Sequence, residues 1–147
     1  MLKLIFLSAV WLTVNITIGY VVAPVLFSLL DKVQAGQVMS VLLNGLYFFD
    51  LAIILFILFG LMLTQACRMK REMWLVITAI MVAVNQWFIS PKMEWLKIHD
   101  MTGHVMQLSF AQWHGISQLV FLLTLVCFAL WAYAYSKQLF LKGSVKV

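Results

Sequence analysis

Charged residues are the first thing that this sequence has little of. Only 10% of its 147 residues are charged and only five are Asp or Glu, whereas 65% are hydrophobic. Soluble globular domains carry about 25% charged residues. This shortage excludes a soluble globular class and predicts an integral membrane protein.

Cysteine and the common catalytic motifs are also scarce or missing. The two Cys residues, Cys67 and Cys127, form neither a C-x-x-C pair nor a zinc spacing, so no disulfide framework is expected. The sequence has no nucleophile elbow, phosphate loop, dinucleotide fingerprint or HExxH helix. These absences favour a non-enzymatic protein.

What the sequence does have is long apolar segments, at about 4–29, 39–64, 73–91 and 109–135. Each is close to or above the ~20 residues that cross a ~30 Å hydrocarbon core as a helix. Their continuous apolar character differs from the alternation of a membrane β-barrel. We expect an all-α, four-helix transmembrane bundle that forms one domain over residues 1–147. The first segment is too long for a cleaved signal peptide, so we expect it to be retained.

The basic residues predict the topology. With both termini in the cytoplasm, seven of the ten Lys and Arg residues lie inside, which is the bias that orients helices. The three outside are Lys32, Lys92 and Lys97. We therefore expect an N-in, C-in protein of the bacterial inner membrane, whose net charge of +5 faces anionic lipids and implies no nucleic acid partner. Trp131 and Tyr135 are expected as interfacial anchors on the inner side.

The segment after Pro91 has a different character from the four apolar segments. Pro91 lacks a backbone N–H and is predicted to kink or end the third helix. The stretch that follows, KMEWLKIHDMTGHVMQLSF, mixes charged and apolar residues and is interrupted by Gly103. We expect a short interfacial helix and a turn between the third and fourth helices.

Polar side chains concentrate in the outer half of the predicted bundle. Asn15 and Asp50 fall near the midplane, and Tyr47 lies one turn from Asp50 on the second helix. If the polar faces of the helices turn inward together, they form a pocket that is open to the outer side. The candidate ligand-binding residues are Asn15, Tyr47, Asp50, Asn85, His114, Ser117 and Gln118.

Asp50 is the residue on which the functional question depends. Ionisable groups within membrane spans are rare and usually face a cavity or a partner, and no Lys or Arg within a span can pair with this one. In the functional interpretation, Asp50 is a proton site, a cation site or the counter-ion of a ligand. The alternative is a neutral carboxyl that is hydrogen-bonded to Tyr47, Asn15 or Asn85.

Other polar and small residues fit helix packing. Asn15, Gly19 and Ala23 recur every four residues, and such a stripe lets another helix approach closely, within the chain or in a homodimer. Asn44, Asn85 and Gln118 are favoured as interhelical hydrogen-bonding groups. A partner in a membrane complex would also be held in this way.

The histidines raise the question of a metal or haem. His99 and His104 are five residues apart and do not share a helical face, so a zinc or copper site with His114 is the less favoured interpretation. His114 alone could ligate a haem iron, although no second buried His is present for a bis-His site. We expect no cofactor, with haem or copper as the alternative. The nine Met residues do not cluster, and we interpret them as packing residues.

Five motifs then occur in an order that resembles one membrane family. They are VAPVLF at 22–27, QAGQV at 34–38, LYFFDL at 46–51, ISPKM at 89–93 and FAQWHGIS at 110–117. Together they resemble the domain-of-unknown-function family related to transmembrane protein 205. On this sequence the family pattern falls on Pro24, Ala35, Gly36, Pro91, Phe110, His114, Gly115 and Ser117. The resemblance implies a four-helix membrane protein without an established biochemical activity.

Three functions remain open from the sequence. The first is a small non-enzymatic inner-membrane protein whose polar pocket binds a small ligand, a lipid head group or an ion, in transport or membrane homeostasis. The second is a haem- or metal-linked redox protein that uses His114; small membrane proteins of copper-resistance and haem-biosynthesis type give a fold-level analogy for it. The third is a structural subunit or assembly factor of a membrane complex.

Overall fold

The computed structural model of the chain describes residues 2–63, 69–99 and 103–144. Within these ranges, four helices are long and apolar enough to cross a membrane. They are span 1 (Lys3–Leu29), span 2 (Lys32–Leu63), span 3 (Met69–His99) and span 4 (Phe110–Leu139). An all-α, multi-pass membrane class is thereby confirmed.

The spans bury little of their own apolar surface. Between 17% and 39% of the most hydrophobic window of each span is buried inside the bundle. Large side chains such as Phe6, Leu55 and Phe59 are more than 60% exposed. A soluble monomer rarely exposes such large contiguous apolar surfaces, so lipid must cover the outside of the bundle.

Spans 1 and 3 each contain a π-helical segment, whereas spans 2 and 4 are uninterrupted. Span 1 consists of an α-helix at Leu2–Ile16, a π-helix at Thr17–Val22 and an α-helix at Ala23–Leu29. Span 3 consists of an α-helix at Met69–Val84, a π-helix at Asn85–Ile89 and an α-helix at Ser90–His99. Span 2 is helical over Lys32–Leu63, and the helix that contains span 4 runs over Phe110–Ser144.

The two prolines account for the π-helical segments. Pro24 and Pro91 each lie two residues after such a segment. In a regular α-helix, a proline ring clashes with the carbonyl four residues earlier. Here the residue before each proline instead bonds to a carbonyl five residues back, from Ala23 to Ile18 and from Ser90 to Asn85. Pro91 therefore does not end the third helix, which continues to His99.

The connections between the spans are short. Asp31 caps span 2, because its carboxylate accepts hydrogen bonds from the backbone N–H groups of Val33 and Gln34, both at 3.0 Å. After Gly103 the chain forms a hairpin of β1 (His104–Val105) and β2 (Leu108–Ser109). The sequence predicts a separate short helix between the third and fourth helices, whereas Ser90–His99 is the last α-helical part of span 3 itself.

Span 1 packs closely on span 4. The ring of Trp11 stacks on Phe128 with centroids 3.9 Å apart. A Cβ added at Gly19 would lie only 2.6 Å from Cε1 of Phe121, so any larger residue would force the Phe121 ring to move. The small-residue stripe of the first helix therefore serves packing within the chain, with Asn15 fully buried and Ala23 half-buried.

Candidate functional site

The predicted midplane residues Asn15 and Asp50 meet inside the bundle. The amide Nδ2 of Asn15 donates to Oδ1 of Asp50 at 2.8 Å and to the carbonyl of Trp11 at 3.1 Å. Asn15 is fully buried, and Asp50 is 1% exposed. The bond joins span 1 to span 2 near the middle of both helices.

Two polar atoms next to this bond have no hydrogen-bond partner among the described residues. One is the indole Nε1 of Trp11, which is close enough to the Asp50 carboxyl to act on it but does not meet the distance and angle of a hydrogen bond. The other is the amide oxygen Oδ1 of Asn15. Because buried polar atoms are normally paired, an unpaired donor and an unpaired acceptor beside one carboxyl need an explanation.

A second pair of polar side chains joins spans 3 and 4. The Ser117 hydroxyl donates to Oδ1 of Asn85 at 2.8 Å, and Nδ2 of Asn85 donates to the Ser117 carbonyl at 3.2 Å. Both residues are buried. Tyr47, which is 3% exposed, contacts Ser117 and lies near Asp50. We call these five residues the polar layer: Asn15, Tyr47, Asp50, Asn85 and Ser117.

The polar layer coincides with the irregular parts of the helices. The π-helical segment of span 3 begins at Asn85, and that of span 1 begins two residues after Asn15. Single π-helical turns inside α-helices occur frequently at functional sites, because they change the direction of the side chains that follow. In this chain, the two prolines create irregular helices next to the layer.

Two predicted site residues lie outside the polar layer. His114 and Gln118 are exposed on span 4, and the ring of His114 stacks on Phe110 with centroids 6.1 Å apart. The α-helical turn of about 100° per residue explains this. Trp113, Ser117 and Phe121 are buried and recur every four residues, so they mark the buried face of span 4. Gln118 lies about 100° round the helix from Ser117 and therefore points away from this face.

Asn44 forms an interhelical contact instead of lining the polar layer. Its amide oxygen accepts a hydrogen bond from the Gln86 amide, so the contact joins span 2 to span 3. Asn44 is exposed, whereas Gln86 is partly buried. This agrees with the interhelical role favoured for Asn44 from the sequence.

The three histidines do not come together. His99 stacks on Trp95, and its Nδ1 lies 3.0 Å from the Trp95 carbonyl. His104 is in the hairpin, where it pairs with Ser109. In the described part of the chain, no group of three or more His, Cys, Asp or Glu side chains could hold a metal ion. Asp100 and Cys67 lie outside the described residues.

A buried ion-pair network lies at the end of the bundle opposite the hairpin. It was not predicted from the sequence. Nε of Arg71 donates to Glu72 at 2.7 Å, and Nη1 donates to Gln138 at 2.6 Å. Trp131 donates its indole N–H to Glu72 at 2.5 Å, and the Arg71 guanidinium lies 4.8 Å from the centre of the Tyr135 ring. The network therefore joins span 3 to span 4 by hydrogen bonds and a cation–π contact.

The network also corrects the anchoring role expected for Trp131 and Tyr135. Both are buried, at 0% and 4% exposure, because they pack against the Arg71–Glu72 pair inside the bundle. The burial of Trp131 and Tyr135 depends on the register between spans 3 and 4, which the sequence does not show. In the sequence, Arg71 counts only among the basic residues that orient the helices.

An open depression lies at the hairpin end of the bundle, away from the polar layer. It is lined by Pro91, Lys92, Trp95, His104 and Val105. The Lys92 ammonium is already engaged, since it lies 3.4 Å from the centre of the Phe88 ring and 3.0 Å from the Phe88 carbonyl. The depression is lined by none of the seven residues that the sequence predicts for a polar pocket open to the outer side.

Comparison with known proteins gives a family and no activity. The family described as Domain of unknown function (DUF4149) matches residues 6–102 of the chain. The match extends over spans 1, 2 and 3 and includes Asn15, Asp50 and Asn85. No curated protein and no solved structure matches the chain.

Proposed function

We propose that the polar layer of this membrane protein binds a small polar ligand or an ion. The chain belongs to the DUF4149 family, a domain family of unknown function. The binding serves transport or membrane homeostasis. The observation that carries the proposal is the buried Asp50, which has neutral hydrogen-bonding neighbours in the middle of a membrane bundle.

The energy of a carboxyl group in this position supports a functional role. Placing an ionised Asp at the centre of a membrane helix costs about 2.5–3.5 kcal/mol on insertion scales. Neither ion pair among the described residues includes Asp50. The bond from Asn15 offsets only part of this cost, since interhelical hydrogen bonds in membranes contribute about 0.6 kcal/mol on average. A purely structural role would be filled at lower cost by Asn or Ser.

The convergence of all four spans also supports binding. Spans 1 and 2 meet through Asn15 and Asp50, and spans 3 and 4 meet through Asn85 and Ser117, with Tyr47 between the two pairs. A ligand at this point would contact every helix, so its arrival or departure could change how the helices pack. That coupling is what a transporter or a membrane sensor needs.

The proposed setting is the bacterial cytoplasmic membrane, with both termini on the cytoplasmic side. The distribution of Lys and Arg supports this orientation. The hairpin then faces outward, and Ser90–His99 approaches the outer interface, where Lys92, Lys97 and His99 are placed. The order of the five sequence motifs supports a relation to transmembrane protein 205 as part of the same proposal.

A stability panel on the purified full chain tests the proposed function. Thermal unfolding in mild detergent is followed while sodium, potassium, magnesium, protons, phosphatidylglycerol or phosphatidylethanolamine is varied one at a time. A ligand that binds only the folded state raises the melting temperature by mass action. We expect one member to stabilise the wild type and to lose this effect in Asp50→Asn.

The control is Asp31→Asn, which changes an exposed carboxylate at the start of span 2 and leaves the polar layer intact. This variant should respond like the wild type. If no member distinguishes Asp50→Asn from Asp31→Asn, the binding proposal is wrong and the polar layer holds helices together.

A further inference from the structure

The groups around the Asp50 carboxyl distinguish between the ions it could take up. Span 1 presents the Asn15 amide, which donates to Oδ1, and the Trp11 indole beside it. Tyr47 faces it from its own span and contacts Ser117 of span 4, which in turn bonds to Asn85 of span 3. Of these facing groups, Tyr47 alone is titratable and none carries a charge at neutral pH.

These groups offer a metal cation few free oxygen atoms: beside the carboxyl, Oδ1 of Asn15 is an acceptor without a partner among the described residues. Hard cations are bound by several oxygen atoms that converge on one point. At Asp50 the Asn15 amide turns its nitrogen toward the carboxyl, and the nearby Trp11 side chain offers only an N–H donor. The positive ends of both N–H groups would repel a cation. A proton has no such requirement, because it needs only one carboxyl oxygen.

We propose that the ion bound in the polar layer is a proton, which Asp50 takes up to become a carboxylic acid. This inference rests on the proposed function. In the loading step, an O–H bond forms between the carboxylate and a proton delivered by hydronium, which leaves a water molecule, and the site loses its negative charge. In the release step, that O–H bond breaks and the proton passes back to water.

The proposal includes a route for the proton past two buried polar atoms next to the Asn15–Asp50 bond. The Trp11 indole is a donor and the Asn15 amide oxygen is an acceptor, and both side chains are fully buried one helical turn apart. A water molecule satisfies such a pair, since it accepts and donates at the same time. In the proposed loading step, a hydronium ion that enters there gives its proton to the carboxylate and stays behind as that water molecule.

Infrared difference spectroscopy on the full chain in phosphatidylcholine vesicles tests the proposal. The pH is lowered stepwise in sodium-free buffer, and the C=O stretching band of protonated carboxyl groups is recorded. All five Asp and Glu side chains contribute to this band as they are protonated, so the signal of interest is the component that comes from Asp50. We expect this component to grow with falling pH, to shift in D₂O and to correspond to one carboxyl per chain. It should be missing from Asp50→Asn and retained by Asp31→Asn, whose spectrum loses only the contribution of Asp31. If Asp50→Asn does not fold, Asp50→Glu should move the band to a different frequency.

Three results would overturn the proposal. The first is the absence of any band that depends on Asp50 over the pH range in which the protein stays folded. The second is a band present at every pH, which marks a permanently neutral structural carboxyl. The third is a rise in melting temperature with sodium or potassium that Asp50→Asn abolishes. This last result would leave the proposed function standing and replace the proton by a metal cation.

Discussion

The hydrogen bond from Asn15 to Asp50 should strengthen when the carboxyl is ionised, and a double-mutant cycle can measure this. The cycle uses Asn15→Leu, Asp50→Leu and the double variant, since Leu keeps a similar side-chain volume. The quantity of interest is the coupling free energy, which removes effects of each substitution that do not depend on the partner.

The size of the coupling follows from the geometry of the bond. With Asp50 protonated, the 2.8 Å bond is an ordinary interhelical hydrogen bond, for which about 0.6 kcal/mol is typical in membranes. With Asp50 ionised, the same N–H donates to a negative charge, and such bonds contribute about 1.5–3 kcal/mol. The coupling should therefore rise from about 0.6 to about 2 kcal/mol between acid and alkaline pH.

The assay is reversible unfolding of the four proteins in mixed micelles by a denaturing detergent, at an acid and an alkaline pH. Asn44 and Gln86 provide a control cycle, because their bond also joins two spans but contains no ionisable group. Its coupling should be equal at both pH values. A coupling for Asn15 and Asp50 that is below about 0.3 kcal/mol, or that does not change with pH, would refute the reasoning.

Two further predictions concern packing and the ion-pair network. Gly19→Ala should lower the melting temperature, because overpacking against Phe121 costs about 1–3 kcal/mol and outweighs the helix propensity gain of about 0.5–1 kcal/mol. Gly45→Ala, whose added Cβ has no atom within 4 Å, should raise it; equal melting temperatures would contradict the close contact. Glu72→Gln should lower the free energy of unfolding by about 3–5 kcal/mol because it removes the carboxylate that pairs with the buried Arg71 guanidinium. Glu94→Gln, at an ion pair whose Glu side chain is 44% exposed, should cost at most about 1 kcal/mol, and similar losses for the two Glu variants would disprove the buried role.

The helices could be predicted from sequence because apolar length alone determines them. The sequence also placed Asn15 and Asp50 at the same depth, and the structure joins them by a hydrogen bond. Depth follows from counting residues along antiparallel helices, and this needs no knowledge of how the helices rotate. The end of the third helix was less predictable, because a π-helical turn lets the helix continue past Pro91.

The rotation of each helix about its own axis could not be predicted from the sequence. The spacing on span 4 predicts one shared face for His114, Ser117 and Gln118. In the structure, the buried face runs through Trp113 and Phe121, and of the three predicted residues it includes only Ser117. A lipid-facing surface is as apolar as a buried one, so hydrophobicity does not show which side turns inward. For the same reason, the contact of Trp131 with Glu72 could not be foreseen.

The central claim is that the polar layer binds an ion at Asp50, and proton counting tests it most directly. The full chain in an unbuffered detergent solution is moved from alkaline to acid pH, and the protons taken up per chain are measured with a pH-sensitive dye. The account predicts that Asp50→Asn takes up one proton fewer than Asp31→Asn after the loss of one exposed carboxyl in the latter is allowed for. If the uptake of Asp50→Asn equals the corrected uptake of Asp31→Asn, Asp50 does not bind a proton in this pH range, and the account is contradicted.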